Sequence, residues 1–190
     1  MLYRELVGVF AHVAGLILVP TSLLYAQPTY TITDLGTLGG QSTFAGASGR
    51  FRNHAGQIVG SSQVAPPTPF SPSHAFVWDP VTGMQDLGTL GGSFSMASAI
   101  NDEGQVVGQA NIEGDLAGHA FTWRDGIMTD LGTLPGDTSS RAVTIDSDGQ
   151  IFGYSCRVNP PFITEVCHFV IWTPSEQGGG RHARRHVRRQ

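Results

Sequence analysis

Apolar positions along this chain come in short runs of near-alternation, each closed by Gly, Asn or Asp, and no window sustains a helical period. Between residues 96 and 131 the pattern predicts four strands: 96–101 (MASAIN), 105–111 (QVVGQAN), 119–123 (HAFTW) and 127–131 (IMTDL). These runs are rich in β-branched and aromatic residues and are separated by turn formers. The turn before the second strand, Asn101-Asp102-Glu103-Gly104, opens on Asn and closes on Gly, which suits a type I turn with a left-handed last residue. His74, Phe76 and Trp78 share one face of a predicted strand, and Ala75 and Val77 line the other. A strand apolar on both faces requires cover on both.

The pattern recurs. Asp34-Leu35-Gly36-Thr37-Leu38-Gly39-Gly40 returns at residues 86–92 and, with Pro135 replacing a Gly, at 130–136. Gly56-Gln57-Ile58-Val59-Gly60 returns at 104–108 and 149–153. His74-Ala75-Phe76-Val77-Trp78 returns as His119-Ala120-Phe121-Thr122-Trp123 and, loosened, as His168-Phe169-Val170-Ile171-Trp172. Spacings of 44 to 52 residues mark a repeat architecture. Four strands per unit, with both faces needing cover, fit the blades of a propeller. The fold class expected is therefore all-β, with propeller-like four-stranded blades in an incomplete, three-unit propeller. The units fall at about 41–92, 93–136 and 137–175 within a domain of residues 27–175. His74, Trp78, His119, Trp123, His168, Trp172, Asp34, Asp86 and Asp130 are its structural repeat positions.

The three linked phrases resemble the HAF-repeat family of probable extracellular repeat proteins, over about residues 29–173. The resemblance implies export and repetition and no reaction. Members usually carry more repeats, and the third copy here keeps only His168 and Trp172 of its phrase.

Residues 1–26 carry Arg4, an apolar run and a small Ala26 before Gln27, the layout of a cleaved secretory signal. An uncleaved membrane anchor is the competing reading. A signal places the protein outside the cell or in a periplasm. There the only two cysteines, Cys156 and Cys167, are free to form a disulfide across a short loop, with free thiols as the alternative.

All 11 basic side chains are Arg, and five of them sit in the last ten residues. Residues 176–190 read as a disordered Arg-rich tail. The body, 27–180, carries five Arg against fourteen Asp and Glu, a balance of −9. That charge repels phosphate backbones and argues against a nucleic-acid partner.

No nucleophile elbow, zinc motif or phosphate loop appears. No catalytic residue and no metal site are expected. The once-per-unit histidines alternate with large aromatics, which points to a structural role, and no cofactor is expected. Asp146 and Asp148 leave calcium as a weak alternative; the matching turn in the first unit, Asn53-His54-Ala55-Gly56, has no carboxylate. Length varies most between the second and third strands of each unit, and loops of this kind often form a binding face. Phe70, Arg157 and Phe162 are the ligand-binding candidates there, for an unknown extracellular partner or a glycan.

The chain enters the repeat with a spare fourth strand at 29–36 and leaves after a third strand. Two assemblies follow: a fragment of a longer propeller with no independent function, or a homodimer in which each spare strand completes the partner's last blade. The expected role is a secreted, non-catalytic β-repeat protein with a structural or extracellular interaction function. A carbohydrate- or protein-binding module is the alternative.

Overall fold

The computed structural model describes residues 29–46, 50–64, 72–159 and 164–174. The segment 1–26 expected to be a signal, Phe70, Phe162 and residues 176–190 lie outside them. The chain divides into two compact bodies, Met1–Asp34 and Leu35–Gln190. Every described strand belongs to the second.

The strands form three successive antiparallel meanders. The first is β1 (Thr43–Ala45), β2 (Ile58–Gln63), β3 (Ser73–Asp79) and β4 (Gly83–Gly88). The second is β5 (Gly91–Ile100), β6 (Val106–Ile112), β7 (Gly118–Arg124) and β8 (Ile127–Asp130). The third is β9 (Ser139–Ile145), β10 (Ile151–Asn159) and β11 (Thr164–Trp172). Register repeats with composition: Ile58 pairs with Trp78, Val106 with Trp123 and Ile151 with Trp172.

The all-β expectation holds, and the sheet count differs from three separate blades. Among the described residues there are two sheets, one of eight strands and one of three. The first two meanders join through a parallel pairing of Ser73 with Phe94. The join exists because β5 is longer than the predicted 96–101 run. Gly88 and Gly91 take positive φ, of 77° and 106°, so the Thr-Leu-Gly-Gly phrase turns sharply. The chain then runs beside the start of β3 before entering the second meander. A second difference lies at residues 29–36, where a spare strand is expected and no strand forms.

Two apolar clusters lie between the meanders. Val59, Ala75, Val77 and Leu87 pack against Ile100, Val106, Phe121 and Trp123. Ala99, Val107 and Ala120 pack against Ala142, Ile145 and Ile151, with Trp172 half-buried beside them. Neighbours on one strand thus enter different clusters: Val106 and Phe121 one, Val107 and Ala120 the other. The second meander is covered on both faces. Each fully buried Val or Phe side chain contributes about 1.5–3 kcal/mol.

The recurring Gly-Gln-x-x-Gly phrase has a packing cause. Gly60, Gly108 and Gly153 each sit opposite an alanine of the preceding strand, Ala45, Ala97 and Ala142. A Cβ at any of the three would overlap a main-chain carbonyl oxygen, that of Phe44, Met96 or Arg141. The pairings of first with second strand, β5 with β6 at Ala97–Ala99 and β9 with β10 at Phe152–Gly153, also shift register, as β-bulges do.

Cys156 and Cys167 form the disulfide, at directly opposed positions of β10 and β11. Closing a loop this short stabilises by about 3 kcal/mol on the chain-entropy account. An oxidising compartment suits it. Among the described residues no helix is long and apolar enough to cross a membrane.

Candidate functional site

The polar repeat residues are mostly engaged in holding strands together. In each turn before the second strand the leading side chain caps its own turn. Asn53 Oδ1 accepts the N–H of Gln57 at 3.0 Å, Asn101 Oδ1 that of Gln105 at 2.9 Å, and Asp146 Oδ1 that of Gln150 at 2.8 Å. Gly56, Gly104 and Gly149 close these turns with φ of 85°, 77° and 77°. Asp146 Oδ1 also accepts the N–H of Asp148, so the Asp-Ser-Asp-Gly segment is engaged as a turn.

The turns are also tied to one another. Asn53 Nδ2 donates to the carbonyl of Asn101, and Asn101 Nδ2 to the carbonyl of Asp146. Beside this ladder lies a cleft of about 500 Å³ lined by Arg50, Arg52, His54, Ile100, Asp102 and Ser147. Arg50 Nη1 donates to the carbonyl of Ile145 at 3.2 Å, linking the first meander to the third. Asp102 accepts the main-chain N–H of His54 at 2.9 Å and lies 2.8 Å from its Nδ1. The His54 N–H, then its ring, hold the Asp102 carboxyl below the usual value. Sequence reasoning passed over this cleft, because Arg50, Arg52 and His54 belong to no recurring phrase.

The repeated histidines pair across strands. His74 Nδ1 lies 2.9 Å from Asp86 Oδ2, and His119 Nδ1 lies 2.8 Å from Asp130 Oδ2. Each aspartate also accepts the N–H of the glycine two residues on, Gly88 or Gly132. His168 departs from this pattern. Its Nδ1 sits 3.5 Å from Asp137 Oδ2, an ion-pair distance without a hydrogen bond, and Asp137 is almost fully enclosed. Arg157 Nη1 approaches the other Asp137 oxygen at 3.9 Å. Of the three ligand-binding candidates, only Arg157 lies among the described residues. Trp123 is buried; Trp78 and Trp172 are half-buried, and Trp172 Nε1 donates to the carbonyl of Leu131 at 3.0 Å.

Sequence reasoning also missed a hydroxyl at the start of each meander. Ser95 accepts the N–H of Ala75 and donates to the carbonyl of Gly88. Ser140 does the same with Ala120 and Gly132. Thr43 donates to the carbonyl of Gly36 at 2.8 Å. The signal was a hydroxyl residue nine or ten positions after the Asp of each Asp-Leu-Gly.

The outward face of the third meander is apolar and open. Phe169 and Ile171 are 62% and 54% exposed, and Tyr154 38%. Phe169 stacks on Phe152 at 6.5 Å and meets Tyr154 edge-on at 5.5 Å, while Arg141 lies over the Tyr154 ring. A second cleft, of about 360 Å³, adjoins it between Arg141, Tyr154, Gln109, Ser139, Glu165 and the disulfide. Among the described residues the one grouping of three metal-competent side chains is Cys156, Glu165 and Cys167. Its two sulfurs are bonded to each other, so neither offers a thiolate.

Comparison with protein-family models, with curated proteins and with solved structures finds no match for this chain.

Proposed function

We propose that this chain is an exported, non-catalytic β-repeat protein of propeller-like units, with a structural, extracellular interaction role. One observation carries the reading. The recurring side chains with chemical potential in the first two units are engaged in internal bonds: His74 with Asp86, His119 with Asp130, and Ser95 and Ser140 across successive meanders. Among the described residues the third meander also leaves Phe169 and Ile171 more than half exposed. The likeness to HAF repeats rests on the same recurring phrases, and the cross-strand disulfide suits export.

A second reading, a glycan-binding module, is favoured by the cleft at Tyr154. It combines an aromatic ring with Arg141, Glu165 and Gln109, a mixture that suits a sugar's apolar face and hydroxyls.

The test is a panel of soluble polysaccharides offered to the purified protein, read for both binding and turnover. The structural reading expects neither. Saturable binding abolished by Tyr154→Ala supports the glycan module instead, and turnover overturns both.

A further inference from the structure

One register position, directly before the leading turn residue, is shared by the three meanders. Ile100 occupies it in the second, paired with Val106, and Ile145 in the third, paired with Ile151. In the first meander the same position, bridged to Ile58, is Arg52. The main chain confirms the equivalence. Asn53, Asn101 and Asp146 come next, and each N–H donates to the carbonyl of the glutamine four residues on. Ile100 and Ile145 are core residues, 2% and 1% exposed. Arg52 is exposed and, among the described residues, enters no ion pair. The packing that explains the two isoleucines does not explain the arginine.

Arg50, two residues earlier, lines the same cleft of about 500 Å³. It is anchored there. Its carbonyl accepts the Ile100 N–H at 3.0 Å, and its Nη1 donates to the Ile145 carbonyl at 3.2 Å. A guanidinium has five N–H donors, so one such bond leaves others for a ligand. Residues 27–180 carry five Arg, and two of the five line this one cleft. Asp102 is the carboxylate of its lining. The His54 N–H and ring, and then the Arg50 charge, hold Asp102 ionised. Its side chain is 58% exposed, so its oxygens remain open to the cleft. His54 turns Nδ1 to Asp102, which leaves Nε2 for a ligand, and Ser147 adds a hydroxyl from the third meander. Two guanidinium charges against one carboxylate leave +1 with His54 neutral, which matches one negative charge.

We propose that this cleft binds a small carboxylate carrying hydroxyl groups, a molecule of the sugar-acid class. Guanidinium groups grip a carboxylate through parallel N–H donors of matching geometry. Asp102 accepts hydrogen bonds and donates none, so it calls for donors on the ligand, and hydroxyls supply them. An anion without hydroxyls, or with more charge, meets Asp102 as a repulsion. The cleft also falls within the range of about 300–1,000 Å³ that suits small ligands. The site goes beyond the structural role proposed above and shares no residue with the cleft at Tyr154.

Isothermal titration calorimetry on the full chain at neutral pH tests this, with D-glucuronate, glucose, acetate and inorganic phosphate as probes. Glucuronate is expected to bind saturably, and the other three about tenfold more weakly or worse, the margin of one lost charged contact. Arg52→Gln should weaken glucuronate by about the same factor at an unchanged Tm. Arg124→Gln, on β7 and outside the cleft, should leave the affinity as it is. Asp102→Asn should narrow the margin between glucuronate and acetate, a change that a folding defect does not produce. Absence of saturable glucuronate binding overturns the proposal. Equal affinity for any of the other three probes does so too, since the site is then a plain anion patch or a plain sugar site. Full affinity in Arg52→Gln, or an unchanged margin in Asp102→Asn, also overturns it. Each of these failures leaves the structural role standing, because the polysaccharide panel tests that separately.

Discussion

The side-chain amide of Asn53 donates to the main-chain carbonyl of Asn101 at 3.1 Å, across 48 residues of sequence, while its Oδ1 caps its own turn. Asn101 does both again, toward Asp146 at 3.4 Å and toward Gln105 at 2.9 Å. Changing Asn101 to Asp keeps the cap and removes the donor, setting a carboxylate against a carbonyl in a site only 5% exposed. A loss of about 1–3 kcal/mol is expected, read by chemical denaturation.

Ser140 satisfies two main-chain groups at once, the N–H of Ala120 and the carbonyl of Gly132. Its hydroxyl is enclosed, so Ser140→Ala leaves both without it. A cost of about 2–4 kcal/mol follows from two such groups. Ser140→Thr should recover most of that, because Thr43 makes the matching bond in the first meander. Melting curves of the two variants, compared with the parent, decide it.

Gly108 should be far less tolerant than Gly83. A methyl at Gly108 overlaps the Met96 carbonyl and comes within 2.9 Å of the Phe121 ring. Gly83 has φ of 82° and nothing within 4 Å, so Gly83→Ala meets only the left-handed backbone penalty, about 1–2 kcal/mol. Gly108→Ala must shift a strand in the packed centre, and about 3 kcal/mol or more is expected. A smaller loss at Gly108 than at Gly83 would refute the packing explanation.

Acid should destabilise the fold through exposed carboxylates. Asp79, Asp102 and Asp115 are held below their ordinary value of 3.8, first by main-chain N–H groups of Val81, His54 and Ser93 respectively. A depressed folded value means that the unfolded chain takes up the proton first. Their contribution is therefore complete above the ordinary value and is lost as pH falls through the depressed ones. The Tm should drop below about pH 4, and less steeply in Asp115→Asn. Equal slopes would show that Asp115 plays no part.

The strands were legible because their causes are local. Alternation of His119, Phe121 and Trp123 marked a strand, and Asn101 with Gly104 marked the turn that the hydrogen bonds bear out. The extension of β5 was not legible, since Gly91 and Gly92 read as turn residues and only the approach of β3 makes the segment extended. Nor was the spare strand at 29–36 right for a single chain: its pattern is that of a strand, but pairing is a property of two partners. Ser95 and Ser140 were hidden by their ordinariness, because a lone serine signals nothing until the neighbouring meander's carbonyl is in place. The two clefts gather residues from different meanders, and composition does not reveal such meetings.

The forward-pointing amides of Asn53 and Asn101 give the three turns a direction. Each donates to the turn that follows its own, and Asp146, in the third leading position, carries a carboxylate with no N–H to offer. The line of amide donors therefore runs one way across the meanders and stops at Asp146.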